Sequence, residues 1–232
     1  MGRAPNCRIF IMHVRLRDGL HYCTCVGRTI FLDVKANRYF AVSAEVDRAF
    51  QALTHDGAPV EPTSKALEPL LSAGLLVPAD VPGLITQPYE MIPAKQDFHR
   101  RPVKPSFFAG AQALAHRYRA ARKVRGQPFA TVLKNVRERK ASLTSVAPDP
   151  SGEISLVLAA FASTAPVFRA RNQCLPQSIA FHRLCLDRGV PATLVIGVSV
   201  NPFAAHCWVQ LDDMVINDRV ERIRQFTPIL EI

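Results

Sequence analysis

With 232 residues and 48% hydrophobic side chains, the chain has enough apolar content for one large or two small cores. Its formal net charge of +10 is concentrated: residues 81–140 hold 13 Lys/Arg against 3 Asp/Glu, whereas 1–80 hold 9 against 8 and 141–232 hold 7 against 8. Neither flank therefore has the charge of a nucleic-acid binder. No apolar run reaches the roughly 18 residues of a membrane span, and the first six residues lack the apolar core of a secretory signal. Six scattered cysteines without a Cys-x-x-Cys pair suit neither a disulfide scaffold nor a familiar zinc set. The expectation is a cytoplasmic protein without membrane contact, metal or bound cofactor.

Three strand-like runs come first, at 21–26, 29–34 and 38–42, with Gly27 and Lys35-Ala36-Asn37 as punctuation. They predict a meander. Ser43 reads as the N-cap of a helix with Val46, Ala49, Phe50 and Leu53 on one face. Thr63 or Ser64 is placed to cap a second helix through Ala73, with Leu67, Leu70 and Leu71 as its stripe and Pro69 kinking or splitting it. This unit ends near residue 80. Five prolines between 81 and 105 predict a stiff, extended connector. Beyond it, Phe107, Ala111, Leu114 and Tyr118 predict the apolar stripe of a helix whose solvent side carries Arg117, Arg119, Arg122, Lys123 and Arg125. Gln127-Pro128 begins another helix, and 154–162 is a third.

The last 60 residues read as helix 174–188, stopped by Gly189, then strands 192–198, 204–211 and 214–218. Cys174, His206 and Asp218 fall in this segment within 45 residues. A helix N-terminus lowers a thiol pKa through its partial positive charge and unpaired N–H groups. The same N–H groups suit an oxyanion, and Pro176 fits an early helical position. His206 lies in the apolar run Ala204-Ala205-His206-Cys207-Trp208-Val209, sharing a strand face with Trp208. Asp218 closes Met214-Val215-Ile216-Asn217-Asp218 and competes for the orienting role with Asp212 and Asp213, which look like turn residues, and with Asn217 as a weaker substitute. Thiol, imidazole and carboxylate in these settings form a nucleophile, base and orienter. They point to cysteine-dependent acyl transfer or hydrolysis.

Five motifs now bear on family. Asn172-Gln173-Cys174-Leu175-Pro176-Gln177-Ser178, the Arg183…Arg188-Gly189-Val190-Pro191 helix end, Leu194-Val195-Ile196-Gly197-Val198, His206-Cys207-Trp208-Val209 and Ile216-Asn217-Asp218 together resemble the lasso-peptide B proteins. So do the 32 residues from Cys174 to His206 and the 12 from there to Asp218. Cys207 departs from the small residue, such as Ala, usual in that family. The stretch 31–40 resembles the family's PqqD-like peptide-recognition element. The resemblance implies an α+β protein: a small winged-helix-like PqqD-type domain (1–80), the connector (81–105) and a transglutaminase-like, papain-related domain (106–232). It implies a leader peptidase acting on a lasso-peptide precursor, with an asparagine-synthetase-like cyclase as partner. It also implies ATP consumption, although no Gly-x-x-x-x-Gly-Lys-Ser/Thr loop is present.

An exposed edge of the meander would accept the leader as an added strand, with its apolar side chains entering a groove beside a helix. The expected edge is Arg38, Tyr39, Phe40, Ala41 and Val42, and the expected groove walls are Leu67, Leu70 and Leu71. Two alternatives stand beside this. The same three residues perform transamidation if an amine resolves the thioester. An N-terminal winged helix, with the basic middle gripping phosphates, would be a salt-sensitive nucleic-acid binder.

Overall fold

The computed structural model describes residues 13–56, 65–79, 85, 92–165 and 173–232, and the chain divides into two compact units, Met1–Pro88 and Tyr89–Ile232. In the first, strands β2 (Leu20–Cys25), β3 (Arg28–Asp33) and β4 (Arg38–Phe40) form an antiparallel sheet in the order β2-β3-β4. Val26 and Gly27, both at positive φ, make the tight turn between the first two strands. Helix α1 (Ala44–Asp56) follows, with Ser43 Oγ accepting from the Val46 N–H. Phe31 and Phe50, both fully buried, meet edge to face and join Tyr22 and Phe40 in an aromatic core.

Two sequence expectations change here. β4 ends at Phe40, so Ala41 and Val42 lie outside the strand, where the Val42 carbonyl accepts from Arg28. Helix α2 is short (Glu68–Ser72), with Pro69 in its first turn, and expected caps Thr63 and Ser64 lie outside the described residues. Leu67 and Leu70 are 4% and 1% exposed. They fill the core beside Phe31 and Phe50 instead of walling an open groove, and only Leu71 stays half-buried. A second sheet was not foreseen: β1 (His13–Leu16) pairs antiparallel with β5 (Leu76–Ala79).

In the second unit, β7 (Thr193–Val200) and β8 (Phe203–Leu211) form a long hairpin at the centre of a five-stranded sheet. The sheet order is β10-β7-β8-β9-β6, with β9 (Met214–Val215), β10 (Thr227–Glu231) and β6 (Gln96–Asp97) completing it. β6 falls inside the stretch expected as connector. It pairs in parallel with β9, and Asp97 Oδ1 accepts from the Val220 N–H at 2.7 Å. Two residues of that stretch, Gln96 and Asp97, are thus part of the sheet.

Helix α6 (Cys174–Asp187) packs on β8 and is surrounded by α3 (Phe107–Gly126), α4 (Phe129–Ala141) and α5 (Pro150–Ser163). The short α7 (Val220–Ile223) covers Trp208 and Val195. Gly189 takes the left-handed conformation (φ +72) that ends α6, and a Cβ there would come within 2.9 Å of the Ala147 nitrogen.

α3 presents a different face from the one its spacing predicts. Ala109, Ala113, His116, Arg117 and Ala120 are buried, whereas Phe107, Leu114 and Tyr118 are exposed. The small residues let α3 lie close to its helical neighbours, and Arg117 is accommodated by stacking on Phe161 and donating to its carbonyl. Among the described residues no helix is long and apolar enough to cross a membrane.

Candidate active site

Three elements bring the sequence-predicted residues together. Cys174 is the first residue of α6, His206 lies on β8, and Asp218 follows β9 just before α7. His206 Nε2 bonds Asp218 Oδ2 at 2.5 Å, and the ring also shares a hydrogen bond with the Cys174 thiol. With Nε2 engaged by the carboxylate, Nδ1 is the nitrogen left for sulfur. Asp218 Oδ1 accepts from the Arg219 N–H at 2.9 Å, which fixes the carboxylate, and Arg222 stands 3.9 Å from its other oxygen. Asp212 is a turn residue at positive φ, as expected, and Asp213 takes the Gln96 amide.

The electrostatics follow from these contacts. The bond to His206 lowers the Cys174 pKa; burial opposes it, and the imidazole charge with N–H groups of Leu175 and Cys207 adds to the lowering. Burial alone would lower His206, but hydrogen bonds to Asp218 and Cys174, with their charges, raise it to about 9. Burial pushes Asp218 up, and the His206 bond, the Arg219 N–H and nearby positive charge bring it below the ordinary carboxylate value. Both shifts favour the thiolate–imidazolium form of the pair over the neutral one.

Side chains that periodicity did not single out hold this geometry. Asn217 Oδ1 accepts from the Val209 N–H at 2.7 Å, and its Nδ2 donates to Ser178 Oγ at 3.0 Å. Ser178 Oγ in turn donates to the Cys207 carbonyl at 2.7 Å. One chain of hydrogen bonds thus ties α6, β8 and the segment carrying Asp218. Asn217 is therefore a clamp and not a substitute orienter. On β8, Trp208 lies 6.2 Å from the His206 ring, and Phe226 approaches that ring at 5.1 Å. Trp208 crosses β7 where residue 197 is glycine: a Cβ there would meet its ring at 2.8 Å.

The three residues open onto a cleft of about 510 Å³. Gln173, Gln177, Ser178 and Asn217 line it with neutral donors and acceptors, and Ala204 and Ala205 keep it wide beside His206. Such a lining suits a polypeptide backbone. Among the described residues no group of three His, Cys, Asp or Glu side chains is gathered as metal ligands. Of the expected leader-binding residues, Arg38, Tyr39 and Phe40 lie on an edge strand of the first unit, with Phe40 turned inward onto Phe31.

A protein-family model described as "Transglutaminase-like superfamily" matches residues 114–231, just over half of the 232-residue chain. The chain belongs to the transglutaminase-like superfamily. All three candidate residues, the clamp and the five-stranded sheet except β6 lie within the matched transglutaminase-like segment. The microcin J25-processing protein McjB of Escherichia coli is 39% identical over 62 residues. That is 27% of this chain and 30% of McjB, so less than a third of the relative's length is spanned. The match supports the resemblance to lasso-peptide B proteins over that part of the chain. No solved structure matches.

Proposed function

We propose that this protein is a cysteine peptidase that removes the leader from a ribosomally made lasso-peptide precursor. The meeting of Cys174, His206 and Asp218 on one amide-lined cleft carries the reading, and membership of the transglutaminase-like superfamily agrees with it. The similarity to McjB, named for processing microcin J25, supports the substrate class.

In the proposed reaction the Cys174 thiolate attacks the carbonyl carbon of the last leader residue. N–H groups at the first turn of α6 receive the oxyanion. His206 gives its proton to the leaving amine of the core peptide, then takes one from the water that hydrolyses the thioester. Asp218 holds the ring orientation and stabilises the imidazolium. Hydrolysis leaves the leader as a free acid, whereas transamidation leaves an adduct, and mass spectrometry of the released leader separates the two.

The first unit is proposed to be a PqqD-like, winged-helix-type recognition element. The leader would add as a strand along β4, the last strand in the β2-β3-β4 order. With Leu67 and Leu70 in the core, Leu71 is the leucine of the expected trio left to meet its side chains. Tyr39→Pro should weaken leader binding by about tenfold while a pre-cut core ester is still hydrolysed at the normal rate. Unchanged leader affinity in that variant places the binding edge elsewhere. A partner cyclase of the asparagine-synthetase type and ATP consumption belong to the same proposal. Co-purification with the cyclase, and maturation assays with and without ATP, test them.

A further inference from the structure

Away from the thiol, helices α3, α4 and α6 enclose a second cavity, of about 180 Å³. Its polar rim is dominated by cations: Arg119 and Lys123 from α3 and Arg183 from α6. Its floor is apolar, formed by Val132, Val136 and Ile179. Lys123 and Arg183 are half-buried, so their charges are less hydrated than those of an ordinary solvent-facing helix surface.

One carboxylate, Asp187, also lines the cavity, but it is already engaged. Its Oδ1 accepts from Arg139 Nε at 3.0 Å and from Arg139 Nη2 at 2.5 Å. Its Oδ2 lies 3.2 Å from His116 Nε2. Burial holds His116 below its ordinary pKa, with Arg119, Arg183 and Arg139 pushing the same way against Asp187, so its ring is neutral at pH 7. Among the described residues, Arg119, Lys123 and Arg183 form no ion pair with a carboxylate. Three positive charges around one small hollow repel each other, and Asp187, already shared between Arg139 and His116, offsets them only in part.

We propose that this cavity binds a small phosphate-bearing ligand through Arg119, Lys123 and Arg183. The size selects the class: 180 Å³ is below the roughly 300 Å³ of an ordinary small-molecule pocket, which suits a phosphate or diphosphate group and excludes a peptide segment. A single carboxylate would leave most of the charge unbalanced, whereas a tetrahedral oxyanion matches two guanidinium forks and an ammonium. No Phe, Tyr or Trp side chain lines the cavity, and its three cations mark the phosphate itself as what is recognised. The site is separate from the cleft. Arg183 lies nine residues along α6 from Cys174, about 14 Å at the helical rise. The inference therefore does not depend on the peptidase reading.

Titration of the full chain with inorganic phosphate, diphosphate and a nucleoside triphosphate, at constant ionic strength, tests it by calorimetry. Saturable one-to-one binding of diphosphate is expected, with acetate and chloride giving none. A nucleoside triphosphate should bind as diphosphate does, and the bare nucleoside should not bind. Arg183→Gln and Lys123→Gln should each weaken diphosphate binding by about tenfold or more, the loss of one charge-assisted contact, at unchanged circular dichroism. The double variant Arg122→Gln/Arg125→Gln, which alters exposed cations outside the cavity, should bind as the parent does. Absence of saturable binding overturns the proposal, as does equal weakening in the Arg122/Arg125 variant, which would mark a diffuse basic surface.

Discussion

Helix α6 carries two thiols of opposite character. Cys174, at its first turn, is half-exposed to a polar cleft and held below its ordinary pKa by a histidine bond. Cys185, in the last turn of the same helix, is fully buried, and desolvation pushes it far up. Cys207 on β8 is likewise pushed up by burial, although it is next in sequence to His206. The ease of ionising a thiol here is set by position and not by residue type. A helix start supplies unpaired N–H groups and a route to the imidazole, and the helix interior supplies neither.

The comparison is broken most directly at the two thiols. Cys174→Ala should abolish precursor cleavage, by about six orders of magnitude if chemistry limits the rate, and leave leader affinity intact. Cys185→Ala should leave turnover unchanged and lower the unfolding free energy by about 1 kcal/mol. Normal cleavage by Cys174→Ala would end the assignment.

Next in size is Asp218→Asn. It removes the acceptor of the imidazolium and should cost about three to four orders of magnitude in kcat. Because Asp218 raises the His206 pKa, the alkaline limb of the rate profile should also move to lower pH. In the parent, kcat/KM should fall as pH rises through about 9 and His206 loses its proton. On the acid side it should fall below the pH at which an ordinary thiol ionises, since Cys174 is lowered. Alkylation of Cys174 by iodoacetamide, followed by peptide mapping, should trace the same acid limb, with Cys185 and Cys207 unmodified in the folded protein. The smallest effect belongs to the clamp. Asn217→Ala leaves the Val209 N–H without its side-chain acceptor and removes one of the two hydrogen bonds of Ser178 Oγ, and should cost about 1–3 kcal/mol of stability by denaturant titration.

Much of the candidate site was legible because its signals are local. Pro176 and Gly189 bracket the helix that begins at Cys174, and alternation along β8 put His206 and Trp208 on one face. The meander was legible for the same reason, from short apolar runs and the turn at Gly27. What escaped is non-local. β1 finds its partner some 60 residues away in β5, and β6 reaches β9 across more than 100; neither pairing leaves a period in the sequence. The Ser178–Asn217 bond joins residues 39 apart. On α3 the period was real but the face was misread. Alanines at 109, 113 and 120 win the buried side because close helix approach rewards small side chains, leaving Phe107 and Tyr118 outside.

The pairing of β6 with β9 limits where this polypeptide can be divided into two separately expressed pieces. A cut at residue 105, the boundary suggested by the prolines, would strip Asp97 from the start of α7 and the Ile92 carbonyl from Gln210. Gln210 is the residue that accepts the Trp208 indole N–H beside His206. A two-piece version that keeps these bonds is therefore severed upstream of residue 92, with β6 travelling with the second unit.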